Sequence, residues 1–316
     1  MPRAKTGGGT PRFVYGPVPS RRLGYSLGVD ILPFKTCSLD CVYCQLGSTG
    51  KTTNRRRAYF APRDVLAQVR EALEAGRRVD HITFSGSGEP TLNKNLGPII
   101  RGLKKMTKIP VAVLTNGTLL TRKDVRRDLL AADVVVPSLD AVPARLFRAV
   151  NRPHPSLDAG RVVKGLARFR REFKGQIWLE IMLVKGANDT PAHIRELRAA
   201  VAAIKPDRVQ LNTVVRPPAE ATARPLSARE LGRIRRLVDE RAEVVADFGA
   251  GQRAGGKADL DQTVTAMVRR RPVTAGDIAA ALGRHRDEVL KAVGRLLGAG
   301  AIKAVRHGRK TFYEPA

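Results

Sequence analysis

Cysteine is scarce in this chain of 316 residues: there are three, at positions 37, 41 and 44. An odd count crowded into eight residues argues against a disulfide framework and points to metal or redox chemistry. Long apolar runs are also missing. None reaches the roughly 18–20 residues of a bilayer span, and the basic opening MPRAKTGGGTPRF lacks the apolar stretch of a signal peptide, so a cytoplasmic protein without membrane attachment is expected. Acidic residues are few, with 29 Asp and Glu against 57 Lys and Arg, giving a net charge of +28. Such an excess attracts polyanions, nucleic acid first among them. The same charges also fit solvated helix faces such as RREF at 170–173 and RIRR at 233–236, and that compositional reading stays open.

What is present suits a folded protein with a substantial core: 43% hydrophobic and 27% charged residues. Residues 1–12 read as a loosely attached arm. From Ser26 onward, apolar runs of strand length alternate with helix-patterned segments: SLGVDIL, 62–76, HITF, 94–107, VAVLT, 121–131, DVVVPSL, 143–172, QIWLEIMLV, 190–204, RVQLNTV and 227–241. These make six strand–helix units. Near-continuous apolar strands such as VAVL and VVV suit a parallel sheet, so the expected class is α/β, a partial (β/α)6 barrel over residues 13–248. Reactive groups then belong at the C-terminal strand ends. Residues 249–260 are glycine-rich and read as a linker. Beyond them, 261–316 reads as three helices and a basic hairpin turning at His307–Gly308, the layout of a winged helix-turn-helix.

Cys37, Cys41 and Cys44 lie in TCSLDCVYCQLG, a C-x3-C-x2-C arrangement directly after the first strand. Four irons ordinarily want four protein ligands, so three thiolates leave one iron open, the position a catalytic centre keeps for substrate. A structural zinc site would need a fourth ligand, and the nearest histidine, His81, is far from the loop. The spacing, with aromatic Tyr43 just before the third cysteine, resembles the signature of the radical S-adenosylmethionine (SAM) superfamily. The resemblance implies a [4Fe–4S] cluster on the three cysteines, SAM chelated to its open iron, and Tyr43 against the cofactor. It further implies reductive cleavage of SAM to a 5′-deoxyadenosyl radical that takes a hydrogen atom from a substrate. An external donor of flavodoxin or ferredoxin type would supply the electron.

The segment HITFSGSGEPTL is similar to the family's GGE-type element, which binds the SAM amino group; Ser87 replaces its first glycine and Gly88–Glu89–Pro90 is the matching part. Asn116 beside Thr115, and Ser138 with Asp140, stand at the next two strand tips, where they would bond the ribose and carboxylate of SAM or else cap the following helices. Glu180, on an apolar strand, needs either a cation, for which Lys185 is available, or a place facing the cavity. The resemblance assigns adenine support to Leu211, Asn212 and Val214, while Arg216 fits a surface charge.

From about Tyr15 to Pro218 the chain resembles a group of radical SAM Fe–S oxidoreductases related to the enzymes that build wyosine bases in tRNA. With the charge and the terminal winged helix, this favours tRNA or other RNA as substrate. The archaeal wyosine enzymes carry further cysteines for a second cluster, which this chain lacks. A maturase or activase acting on a protein or peptide is the alternative, and an Fe–S redox-sensing DNA-binding regulator the third. His285, Arg286 and Lys291, with hairpin residues Lys303, Arg306, His307, Arg309 and Lys310, suit phosphate contacts that position without reading sequence. A dimerisation module with merely solvated charges accounts for them as well.

Overall fold

A computed structural model of the chain describes residues 12–20, 22–245, 260–282, 284, 286–308 and 310–316. The expected N-terminal arm up to residue 11 and the linker up to residue 259 lie outside the described residues. The molecule is an α/β protein built on one eight-stranded sheet whose strands follow chain order. Strand β1 (Val14–Ser20) pairs antiparallel with β2 (Gly24–Val29). Strands β3 (His81–Phe84), β4 (Val111–Thr115), β5 (Val134–Pro137), β6 (Gln176–Leu183), β7 (Arg208–Thr213) and β8 (Ala242–Val244) continue it in parallel. Parallel neighbours need long crossovers. These are carried by α1 (Pro62–Glu74), α2 (Leu96–Met106), α3 (Lys123–Leu129), α4 (Ala144–Asn151), α5 (Ala159–Glu172), α6 (Pro191–Ile204) and α7 (Ala228–Val238).

The strand period of two sorts the side chains between the faces. Leu27 and Val29, Ile82 and Phe84, Val111 and Val113, Leu179 and Ile181, and Val209 and Leu211 join the main core under the helices. Their alternates Ser26, Thr83, Leu114, Glu180, Met182 and Asn212 all line one cavity, so the sheet wraps around it. A separate apolar cluster of Leu23, Ala112, Val134, Val136 and Trp178 packs on this inner face. Inside the sheet, then, apolar and polar groups occupy separate zones.

Two strands and one helix boundary depart from the sequence reading. VYGPVPS forms β1 despite its two prolines because it is the sheet's edge, where a missing N–H costs no ladder bond. β8 has only three residues, too few for a period to register. The helix expected over 143–172 is two helices, broken after Asn151 by Arg152 at φ 43° and by Pro153 and Pro155; Asp158 then caps α5 by accepting from the Arg161 N–H.

After the undescribed segment come α8 (Leu260–Val268), α9 (Ala275–Leu282), α10 (Arg286–Gly298) and the antiparallel pair β9 (Ile302–His307) and β10 (Lys310–Pro315). They share a core of Val264, Met267, Val268, Ile278, Val289, Val293, Ile302 and Tyr313, and Val18 of β1 is part of it. This C-terminal unit therefore sits against the sheet's first edge. Among the described residues no helix is long and apolar enough to cross a membrane.

Candidate functional site

The cysteine loop leaves β2 and is pinned on several sides. The Lys35 N–H donates to the Ser87 carbonyl and the Glu89 N–H to the Thr36 carbonyl; the Asp40 and Val42 N–H groups donate to the carbonyls of Asn151 and Val150, and the His154 N–H to that of Ser38. Gly88 makes the first of these seams possible. A Cβ there would stand 2.0 Å from the Thr36 oxygen, so no larger residue fits without moving the loop. Cys37 and Cys41 rest on the small apolar cluster of Leu39, Ala141, Phe147 and Ala159.

All three cysteines are free thiols of intermediate exposure, and Cys41, Tyr43 and Cys44 line the cavity, which has a volume of about 350 Å³. Amide groups point at two of the sulfurs: Asn116 Nδ2 lies 3.6 Å from Cys37 Sγ and Asn151 Nδ2 lies 3.4 Å from Cys41 Sγ. Burial pushes the Cys37 thiol up to about 12, helped by the nearby Glu89 charge. Burial likewise raises Cys41, with Asp140 adding to it. Metal binding to such thiols must therefore displace protons. Among the described residues no three His, Cys, Asp or Glu side chains gather around a single-ion position. Three free thiols in one loop, two of them facing amide donors, fit a polynuclear iron–sulfur cluster in their donor chemistry.

Of the polar residues read from the sequence, Tyr43, Glu180 and Asn212 line the cavity, and Asn116 reaches the cysteine loop. Ser138 lines a second, small pocket together with Asn116 and Asp140. Glu89 and Asp140 are both engaged in hydrogen bonds within the protein. The Glu89 carboxylate is buried and accepts four protein hydrogen bonds, from the Thr91 N–H and hydroxyl, the Thr115 hydroxyl and the Asn116 N–H. It ties the turn after β3 to the end of β4, with three of these bonds on Oε1 and one on Oε2. Asp140, also buried, accepts from the Tyr43 hydroxyl, Asn151 Nδ2 at 2.7 Å and the Met182 N–H at 2.9 Å; burial pushes its carboxyl up to about 6. It fixes Tyr43 in place. Gly88 touches Thr36 instead of the cavity, which is lined by Gly86.

Leu211 is fully buried in the core under the helices, because the alternation that turns Asn212 inward turns Leu211 outward. Lys185 pairs with Glu230, not with Glu180. The partner of Glu180 is Arg22, at 3.0 Å, while Asn212 Nδ2 donates to the other Glu180 oxygen at 2.9 Å. Arg22, 158 positions away in sequence, gave no local signal. Sequence reasoning also missed Asn151, whose amide faces Cys41 Sγ, and, among the cavity residues, Tyr15, Arg270 and Arg271.

Comparison with known proteins adds the decisive observation: residues 31–197, which hold the three cysteines and more than half of the chain, match the radical SAM superfamily. The chain belongs to the radical SAM superfamily. Enzymes of this superfamily use a [4Fe–4S] cluster and SAM, and this protein is a radical SAM enzyme. It is 38% identical over 293 residues to a GTPase Obg of Brachyspira hyodysenteriae, a match that spans 92% of this chain and 43% of that protein. It is 36% identical over 230 residues to a UPF0026 protein of Methanocaldococcus jannaschii, covering 72% of this chain and 71% of the relative. A probable dual-specificity RNA methyltransferase RlmN 1 of Opitutus terrae is 27% identical over 181 residues, 52% of this chain and 48% of that protein. The fold resembles the solved structure of TYW1 with a lysine–pyruvate adduct bound, at a TM-score of 0.54 and 19% identity, covering 72% of this chain and 76% of that one.

Proposed function

We propose that Cys37, Cys41 and Cys44 hold the [4Fe–4S] cluster at the cavity wall, that SAM and part of the substrate enter the cavity, and that the substrate is RNA, tRNA in particular. The observation that carries the reading is the set of three free thiols in one loop, two of which, Cys41 and Cys44, line a cavity that Glu180 and Asn212 also line. When bound, the reduced cluster and SAM supply a 5′-deoxyadenosyl radical for hydrogen abstraction. The protein's own part is to position and to shield. Asn116 and Asn151 donate N–H groups toward sulfur, Asp140 holds the Tyr43 ring against the cavity, and Glu180 with Asn212 presents a polar edge for the hydroxyls or amino group of a ligand.

RNA is favoured by the net charge of +28, by the RNA methyltransferase among the relatives, and by exposed Arg286, Lys291, Lys303, Arg306 and Lys310 on α10 and the β9–β10 hairpin. We read residues 13–248 as the radical SAM domain and 261–316 as a winged helix; His285 and Arg309, which belong to the same basic set, lie outside the described residues. The electron would come from a flavodoxin- or ferredoxin-type donor. In the test, anaerobically reconstituted and reduced protein is given SAM with and without bulk tRNA, and 5′-deoxyadenosine is quantified by mass spectrometry. We expect tRNA to raise the yield; a yield indifferent to tRNA would redirect the reading to a protein or small-molecule substrate.

A further inference from the structure

The cavity is not walled by the sheet alone. Arg270 and Arg271, from the turn after α8 in the C-terminal unit, also line it. Arg270 is held firmly: its side chain is 12% exposed, its guanidinium stacks 4.4 Å above the Tyr15 ring, and Nη1 and Nη2 donate to the carbonyls of Ala266 and Arg12. Its Nε lies 4.0 Å from Asp30, within ion-pair range, but is buried without a hydrogen bond. Tyr15 can lie across the sheet because Gly28 beneath it has no side chain; a Cβ there would meet the ring at 2.1 Å. The Tyr15 hydroxyl is anchored to the Ser85 hydroxyl at 2.8 Å. This stack places the neighbouring Arg271 at the cavity.

Arg271 itself makes no side-chain hydrogen bond or ion pair among the described residues, and it is half-buried. A guanidinium withdrawn from water without a counter-charge is costly unless a ligand supplies one. Cations at a helix C-terminus do complement the helix dipole, but exposed Arg269 provides that without entering a cavity. Glu180 is a carboxylate on the cavity wall, and it already pairs with Arg22.

We propose that Arg271, set in place by the Arg270–Tyr15 stack, is an anion subsite that receives a phosphate of a nucleotide substrate. The C-terminal unit would thus bind substrate inside the cavity as well as on its own surface. The identity of the phosphate's carrier rests on the RNA reading; the subsite itself does not. A planar guanidinium offers two parallel donors to phosphate oxygens, and such charge-assisted bonds strengthen where water is excluded.

The test is calorimetric titration of the cluster- and SAM-loaded protein with uridine 5′-monophosphate and, separately, with uridine. Wild type should bind the monophosphate about tenfold or more tighter than the nucleoside, as one charge-assisted hydrogen bond implies. Arg271→Gln should erase that difference while leaving SAM binding unchanged, and Arg271→Lys should retain part of it. Arg195→Gln removes the same charge from an exposed position on α6 and should change nothing. Monophosphate binding unaltered by Arg271→Gln would overturn the proposal, as would a loss of SAM affinity in that variant. If tRNA stimulates SAM cleavage yet Arg271→Gln binds the monophosphate like wild type, the RNA reading survives and the subsite falls. If monophosphate binding depends on Arg271 while tRNA has no effect, the subsite stands and the substrate is a smaller phosphorylated molecule.

Discussion

Single atoms decide how the cysteine loop sits. Gly88 lets the turn after β3 press on Thr36, so Gly88→Ala must open that seam by shifting backbone, at a cost of about 1–3 kcal/mol. We expect the variant to fold with a lowered melting temperature and to bind less than the wild-type complement of iron on reconstitution; full iron loading would show that the seam does not shape the loop. Asn116 tests the sulfur environment directly. Its amide faces Cys37 Sγ at 3.6 Å, and hydrogen bonds to cluster sulfur raise the reduction potential. Asn116→Ala should therefore move the potential to more negative values in an EPR-monitored titration, and an unchanged potential would reduce the contact to packing.

At the scale of elements, two buried polar knots hold the loops that carry the site. Arg56, 4% exposed, bridges the Thr91 and Asn93 carbonyls to Asp124 and Asp128, tying the chain after the cysteine loop to α3. Removing it strands Asp128 in the interior, so Arg56→Ala should lose about 3–5 kcal/mol in denaturant unfolding. His193 on α6 bonds through Nδ1 to the Asn188 carbonyl at 2.6 Å, and its Nε2 accepts from the Val142 N–H at 3.3 Å, linking α6 to the loop after β5. Accepting that bond requires a neutral ring, and burial lowers the His193 pKa against the opposing pull of the Asn188 carbonyl and Glu196. The unfolded chain thus takes up this proton at higher pH than the folded one. The stabilisation is complete above about pH 6.5 and is lost progressively as pH falls below that unfolded value. His193→Gln should shrink the drop in melting temperature between pH 7 and pH 5; an identical drop would place the acid sensitivity elsewhere.

The parallel strands β2–β7 were legible because apolar strands such as VVVP and QIWLEIML carry a clear period between helix-patterned segments. The edge strand β1 was hidden by prolines that only an edge tolerates, and the split between α4 and α5 by helical patterning on both sides of Arg152. In the site, the cysteine spacing was plain in one line of sequence. The Arg22–Glu180 pair, and the use of Glu89 and Asp140 as internal braces, depend on contacts between distant segments that no local pattern encodes.

Considered whole, the molecule sets a cysteine loop over a sheet-lined cavity and brings a basic C-terminal unit to that cavity's wall. On the proposed reading the three thiols act together as the seat of SAM cleavage. The most direct measurement is 5′-deoxyadenosine formed per protein by anaerobically reconstituted, reduced wild type and by Cys37→Ala, Cys41→Ala and Cys44→Ala, with iron content determined on the same samples. We expect product from wild type and none above background from any of the three variants. Wild-type product that persists in Cys41→Ala, or its absence from wild type carrying a full cluster and an adequate reductant, would contradict the account.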